Sequence, residues 1–139
     1  MLAILLLILL STGARADPVS SPLVGLWMTH DGDGVLSIDP CGNSLCVRIV
    51  GSAMANMPRD WRGRSECGER ISQVTERSPG AWEGRITDPR NGHVYDVRIT
   101  AEDASHARLR GFVVVPFLGS TQVWTRYTGH VAEDCRMSR

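Results

Sequence analysis

Lysine is missing from this chain. All 15 basic residues are arginine, and they face 15 acidic ones, for a formal net charge of zero. The bias reads as genomic composition. The balance argues against nucleic acid or an anionic membrane surface as the main partner. Aromatic residues are scarce, at 6%, so few large side chains are available to fill a core. Beyond residue 16 no segment sustains a helical period, which argues against a helical bundle and a spanning helix. There is no Gly-x-Ser-x-Gly elbow, no phosphate loop and no paired-histidine metal motif, so no reaction class is written in the chain. No two cysteines have the Cys-x-x-Cys spacing of a zinc knuckle. No internal repeat or low-complexity tract stands out.

The one long apolar run is Leu2 to Leu10, followed by Ala14-Arg15-Ala16. A run of about ten residues ending in Ala-x-Ala is expected to be a secretory leader over 1–16, because a spanning helix needs about 20 residues. Cleavage after Ala16 leaves Asp17 as the first residue, with no cysteine for a lipid anchor. A single domain over 17–139 is expected, large enough for one core. A periplasmic or secreted location follows. Removing Arg15 from the 15 basic residues leaves 14 against 15 acidic.

Four cysteines in an exported chain imply disulfides, and four allow three pairings. Cys41 and Cys46 flank Gly42-Asn43-Ser44, a turn signal that can set them opposite each other in a hairpin. Cys67 and Cys135 are then expected to pair and pin the C-terminal tail to a mid-chain loop.

Short runs alternate with period two. Trp82, Gly84 and Ile86 alternate with Glu83, Arg85 and Thr87; Tyr95, Val97 and Ile99 with Asp96, Arg98 and Thr100; and Leu45, Val47 and Ile49 with Cys46, Arg48 and Val50. Further runs cover 24–30, 33–39, 107–115 and 121–127, with a weaker one near 70–76. About eight strands at this spacing predict an all-β barrel or sandwich, with a small antiparallel up-and-down barrel as the expected form. Turn signals separate them at Asp31-Gly32-Asp33-Gly34, at Asp88-Pro89-Arg90-Asn91-Gly92, at Glu102-Asp103 and from Pro116 to Gly119. Trp27 on the first strand and Arg126 on the last are expected to seal one barrel end, the guanidinium stacking on the indole.

Taken together, certain segments resemble the DUF2147 family of exported bacterial proteins. They are Gly25-Leu26-Trp27, Pro40-Cys41-Gly42-Asn43-Ser44-Leu45-Cys46, Arg48-Ile49-Val50, Cys67-Gly68, Trp82-Glu83-Gly84-Arg85-Ile86, Asp88-Pro89, Asn91-Gly92, Tyr95, Leu109-Arg110-Gly111 and Leu118-Gly119 through Trp124-Thr125-Arg126. The resemblance implies a lipocalin-like or streptavidin-like barrel and carries no established activity or catalytic residue. Two departures stand out. Val47 follows the second hairpin cysteine where the family usually has glycine. The long loop reads Asn56-Met57-Pro58-Arg59-Asp60-Trp61-Arg62-Gly63-Arg64 where members often carry an Asn-Pro-Asp-Pro-like stretch.

The long irregular segment 51–69 is the leading site candidate, since loops of this length tend to be functional. Arg59, Trp61, Arg62 and Arg64 are expected at the rim of a ligand entrance, with Val47, Ile49, Val97, Ile99 and Leu109 lining the interior. Other clusters have plainer explanations. Asp31 to Gly34 resembles the start of a calcium loop but lacks the glutamate at its twelfth position, which is Gly42. Asp88, Asn91, His93, Tyr95 and Asp96 can be read as an acid–base group or as turn residues. Met54, Met57 and His30 can be read as Cu(I) ligands or as packing. No metal, cofactor or catalytic residue is assigned. The leading expectation is a binder of a small apolar or amphipathic molecule. The alternatives are an envelope module that holds a protein or glycan through 51–69, and a hydrolase with an unidentified site. An apolar pocket would favour the first, a barrel filled by its own side chains with the arginine loop exposed and ordered the second, and a cluster of buried carboxylates with a histidine the third.

Overall fold

The computed structural model describes residues 13, 17–113 and 119–138. The expected leader over 1–16 therefore lies outside the described residues apart from Gly13, as do Val114, Val115 and most of the Pro116–Gly119 break. The strands are β1 (Gly25–Met28), β2 (Gly34–Cys41), β3 (Ser44–Ser52), β4 (Arg70–Ser78), β5 (Ala81–Thr87), β6 (Val94–Ala101), β7 (His106–Phe112), β8 (Ser120–Arg126), β9 (His130–Val131) and β10 (Met137–Ser138). The first eight form a closed antiparallel barrel in chain order, and no helix occurs among the described residues. Each run of alternation became a strand because burying one face of a β-branched segment requires period two. Trp82 pairs with Ile99, Gly84 with Val97 and Ile86 with Tyr95, so the alternate residues of β5 and β6 share one face. Asp31 to Gly34 belongs to the β1–β2 turn: Thr29 N–H donates to the Gly34 carbonyl at 2.9 Å, and its hydroxyl bonds the Asp33 carboxylate at 2.8 Å.

Strands β1 and β8 share two residue pairs, Trp27 with Arg126 and Met28 with Thr125. Side chains supplement that short seam. The Arg126 guanidinium lies 3.8 Å from the centre of the Trp27 ring. It also donates to the Val24 carbonyl at 2.9 Å, the Pro22 carbonyl at 2.8 Å and the Ala104 carbonyl at 3.2 Å. Trp27 is fully buried, and its Nε1–H donates to the Leu23 carbonyl at 2.8 Å. Gly25 is glycine for two reasons. Its φ is +132°, and a Cβ there would sit 2.6 Å from Arg126 Nη1. Residues before β1 thus cover this end of the barrel, with Leu23 inserted into the core. Above them pack Ile38, Leu45, Val47, Val74, Trp82, Val97 and Ile99, all buried.

Disulfides join Cys41 to Cys46 and Cys67 to Cys135. The first clips the β2–β3 hairpin. The second closes a sequence separation of 68 residues and ties the long loop to the C-terminal tail. The tail itself holds a feature not anticipated from the sequence, the β9–β10 hairpin. It is anchored where Ser52 N–H donates to the Cys135 carbonyl at 2.8 Å.

Two outcomes follow. Trp27→Ala should lose about 3–5 kcal/mol of stability in urea unfolding, the usual cost of deleting a buried indole. Replacing both Cys67 and Cys135 by alanine should cost about 2–5 kcal/mol, and peptide mapping without reductant should recover the 67–135 and 41–46 pairs.

Candidate functional site

The connections β2–β3, β4–β5 and β6–β7 lie at the Trp27–Arg126 end. The connections β1–β2, β3–β4, β5–β6 and β7–β8 lie at the other end, and there the barrel is hollow. A cavity of about 740 Å³ opens between them. Its apolar wall is made by Leu36, Ile49, Ile71, Ile86, Leu109 and Trp124. The hollow has a local cause. Gly111 occupies a lining position and no atom lies within 4 Å of where its Cβ would stand, whereas Gly51 and Gly119 are closely packed, a Cβ there meeting Val35 at 2.9 Å and Phe112 at 2.7 Å respectively. Of the residues expected inside, Ile49 and Leu109 line the cavity, while Val47, Val97 and Ile99 belong to the packed core nearer the sealed end.

The loop between β3 and β4 does border the cavity, but through Met54, Met57, Pro58 and Glu66. This differs from the expected rim: Arg59, Trp61, Arg62 and Arg64 do not line it. The reason is a buried carboxylate. Asp60, with a fully buried side chain, accepts the backbone N–H groups of Arg62 at 2.8 Å and Arg64 at 2.9 Å. It also accepts their guanidinium groups at 3.0 to 3.2 Å. Glu69 takes the far end of Arg62 at 2.9 Å. Arg59 donates to the Gly63 carbonyl at 2.8 Å. The Arg62 guanidinium stacks 4.1 Å from the Trp61 ring centre. Trp61 in turn lies on the β5–β6 turn: its N–H donates to the Pro89 carbonyl at 2.9 Å, and a Cβ on Gly92 would meet its ring at 2.6 Å. These four residues fold the loop onto the neighbouring turn.

The cavity mouth is acidic. Asp31, Asp33, Glu66 and Asp88 line it together with Arg90, His30 and Tyr95. Asp88 is committed to Arg90, which donates to both its oxygens at 3.0 and 2.7 Å. That contact holds the Asp88 carboxyl below the usual carboxylate range. Glu66 has no such partner. It is 7% exposed, and no hydrogen bond or ion pair reaches its carboxylate among the described residues. Burial, reinforced by the negative charges of Glu69, Asp60 and Asp88, pushes its carboxyl above the ordinary glutamate range. Its backbone is held from both sides. The Glu66 N–H donates to the Pro58 carbonyl at 3.0 Å, its carbonyl accepts Glu69 N–H at 3.0 Å, and Cys67 beside it is bridged to the tail.

Sequence reasoning passed over Glu66. Its one signal is adjacency to a cysteine, which fixes a position but not an orientation. The other polar groups divide. Asp88 and Tyr95 reach the cavity, whereas Asn91 accepts the His93 N–H at 2.8 Å within the turn and Asp96 faces Arg85 across β5–β6 at 4.0 Å. His30, Met54 and Met57 all border the cavity, with His30 Nδ1 accepting the Val123 N–H at 3.4 Å.

A closed eight-stranded barrel with one end sealed and one end hollow is a lipocalin-like fold. Comparison with solved structures agrees. A chain described as "Protein HP1028 from the human pathogen Helicobacter pylori belongs to the lipocalin family" superposes with a TM-score of 0.67 at 13% identity. The match covers 76% of this chain and 83% of that one. At that identity the likeness is one of fold. The chain belongs to the family described as "Uncharacterized protein conserved in bacteria (DUF2147)", whose model matches residues 25–126. No curated protein matches it.

Asp60→Ala should lower stability by about 1–3 kcal/mol, the range for lost hydrogen bonds to a charged group, and should make the 53–69 loop the first site of limited proteolysis. Glu66→Gln should act in the opposite direction. The folded state keeps the Glu66 proton to higher pH than the unfolded chain does, so its favourable contribution is present at acid pH and is lost as pH rises through the raised value. The glutamine variant should therefore be more stable than wild type at neutral pH. The difference should vanish below about pH 4, where both side chains are uncharged.

Proposed function

We propose that this protein is exported to the periplasm or beyond and there binds a small apolar or amphipathic molecule, without covalent chemistry, in the hollow end of its barrel. The observation that carries the reading is the cavity of about 740 Å³, a volume within the range of small-molecule sites, with an apolar wall and a polar mouth. The large hydrophobic residues exposed among the described residues, Met54, Trp61, Val94 and Val113, all lie on or beside the connections at this end. Of these, Met54 and Val113 border the cavity and place there apolar surface that a monomer otherwise tends to bury. Two disulfides are consistent with an extracytoplasmic location. An envelope module acting through the arginines of 51–69 is the weaker reading, because Arg62 and Arg64 are held by Asp60 and Glu69.

Trp124 borders the cavity and provides the readout. Its fluorescence should change as fatty acids, isoprenoids or medium-chain amphiphiles are titrated in. Gly111→Phe places a ring in open space at a position with ordinary backbone angles. It should keep the thermal midpoint while weakening binding by about tenfold or more. Binding unchanged in Gly111→Phe, or absent for every class of molecule in wild type, would remove the basis for a carrier. Native mass spectrometry of protein purified from its own envelope should show a co-purified ligand.

A further inference from the structure

The chemistry of the cavity mouth assigns a charge to the ligand. We propose that the cavity takes a molecule with an apolar body and a cationic head, an amine or guanidinium, and that Glu66 receives that head. The inference rests on the carrier reading and deepens it.

Charge at the mouth does not pair off evenly. Four carboxylates and three guanidiniums gather where the β3–β4 loop meets the β5–β6 turn. Asp60 and Glu69 share Arg62 and Arg64, and Asp88 takes Arg90. Glu66 remains. It is the most buried acid of the cavity lining, and it alone of the four has no guanidinium within ion-pair distance. The carboxylate oxygen that is sealed off without a partner among the described residues is Oε2 of Glu69; the Glu66 oxygens keep access to the cavity, where a ligand can supply the partner that the protein does not.

The rest of the mouth points the same way. Asp31 and Asp33 come from the β1–β2 turn, Asp88 from the β5–β6 turn, and Arg90, the cation of the lining, is spent on Asp88. An anionic head would meet carboxylates from three connections. A cationic head would meet a hydrogen-bond acceptor in each. Below Glu66 the wall turns apolar through Met57, Ile71 and Ile49, which suits a hydrocarbon tail. The arginines that appear in the sequence as an anion grip serve instead to neutralise Asp60 and Glu69, and Glu66 is left as the buried carboxylate of the lining without a guanidinium, beside the exposed Asp31 and Asp33.

The test compares heads on one tail. Octylamine, octanol and octanoate, each below its micelle concentration, are titrated into the full disulfide-bonded protein and followed by Trp fluorescence and calorimetry. Octylamine should bind about tenfold or more tighter than either of the others, the scale of a charge-assisted hydrogen bond in a partly buried site. In Glu66→Gln that preference should fall to about threefold or less while octanol binding is kept. Wild-type binding of octylamine should also release a proton near the raised Glu66 titration, seen as a dependence on buffer ionisation heat, and tighten as pH rises through it. The groups that surround Glu66 in this range are Asp60, Arg62, Arg64 and Glu69 from its own loop, Asp88 and Arg90 from the β5–β6 turn, His30, Asp31 and Asp33 from β1–β2, and Tyr95 from β6. Equal binding of the three heads, or preference for octanoate, overturns the cationic assignment and leaves the carrier reading standing. A preference for octylamine that survives in Glu66→Gln also overturns the role of Glu66. Failure of all three to bind overturns both.

Discussion

The barrel depends on one contact, the Arg126 guanidinium laid on the Trp27 indole. Strands β1 and β8 share only two residue pairs, too few to hold an edge by backbone alone. An unclosed sheet would present two edges for pairing with other chains. Arg126 supplements the seam by donating to carbonyls of two separate segments, the approach to β1 and the β6–β7 connection. The planar fork of arginine makes this workable, since one group both stacks and donates in several directions. Gly25 and Leu23 are adjuncts of the same contact: the glycine leaves room for the guanidinium, and the leucine supplies the carbonyl for the indole.

Once that end is sealed, the two ends of the barrel differ in kind. Bulk is concentrated at the sealed end, where Trp27, Trp82, Ile99 and Leu45 meet. At the other end Gly111 faces open space, and the strands there enclose a cavity instead of filling it. Each end has its own disulfide. Cys41–Cys46 clips a hairpin at the sealed end, and Cys67–Cys135 holds the long loop beside the opening. The loop that borders the cavity is thus tied by a covalent bridge, a buried Asp60 and a Trp61 seated on the next turn. Rigidity at the mouth matters because a group that must meet a ligand in one geometry gains from being held there beforehand.

Charge at the mouth follows from how arginines were distributed. In a chain with no lysine every cation is a fork that prefers two acceptors, and Asp60, Glu69 and Asp88 satisfy that preference at short range. What is left is Glu66, positioned by its backbone and by Cys67 and denied a cation by its neighbours' pairings. An acid kept in that state lowers the stability of the empty protein at neutral pH, as groups arranged for binding often do.

The eight barrel strands were legible in the chain because period-two alternation is a local property: a strand with one buried face must place apolar residues at every second position. The closure by Trp27 and Arg126 was legible for a related reason, since an indole and a guanidinium on the first and last strands have little else to do in a small barrel. The cysteine hairpin was readable from its turn. The β9–β10 hairpin was not, as two-residue strands carry no periodicity. Nor was the direction faced by loop 51–69. Arg59, Trp61, Arg62 and Arg64 look like a binding surface in one dimension, and only the fold brings Asp60, Glu69 and Gly92 against them. The hollow and the exposure of Glu66 to it belong wholly to tertiary structure. Alternation states which residues face inward, but whether they meet across the barrel depends on its diameter and its register.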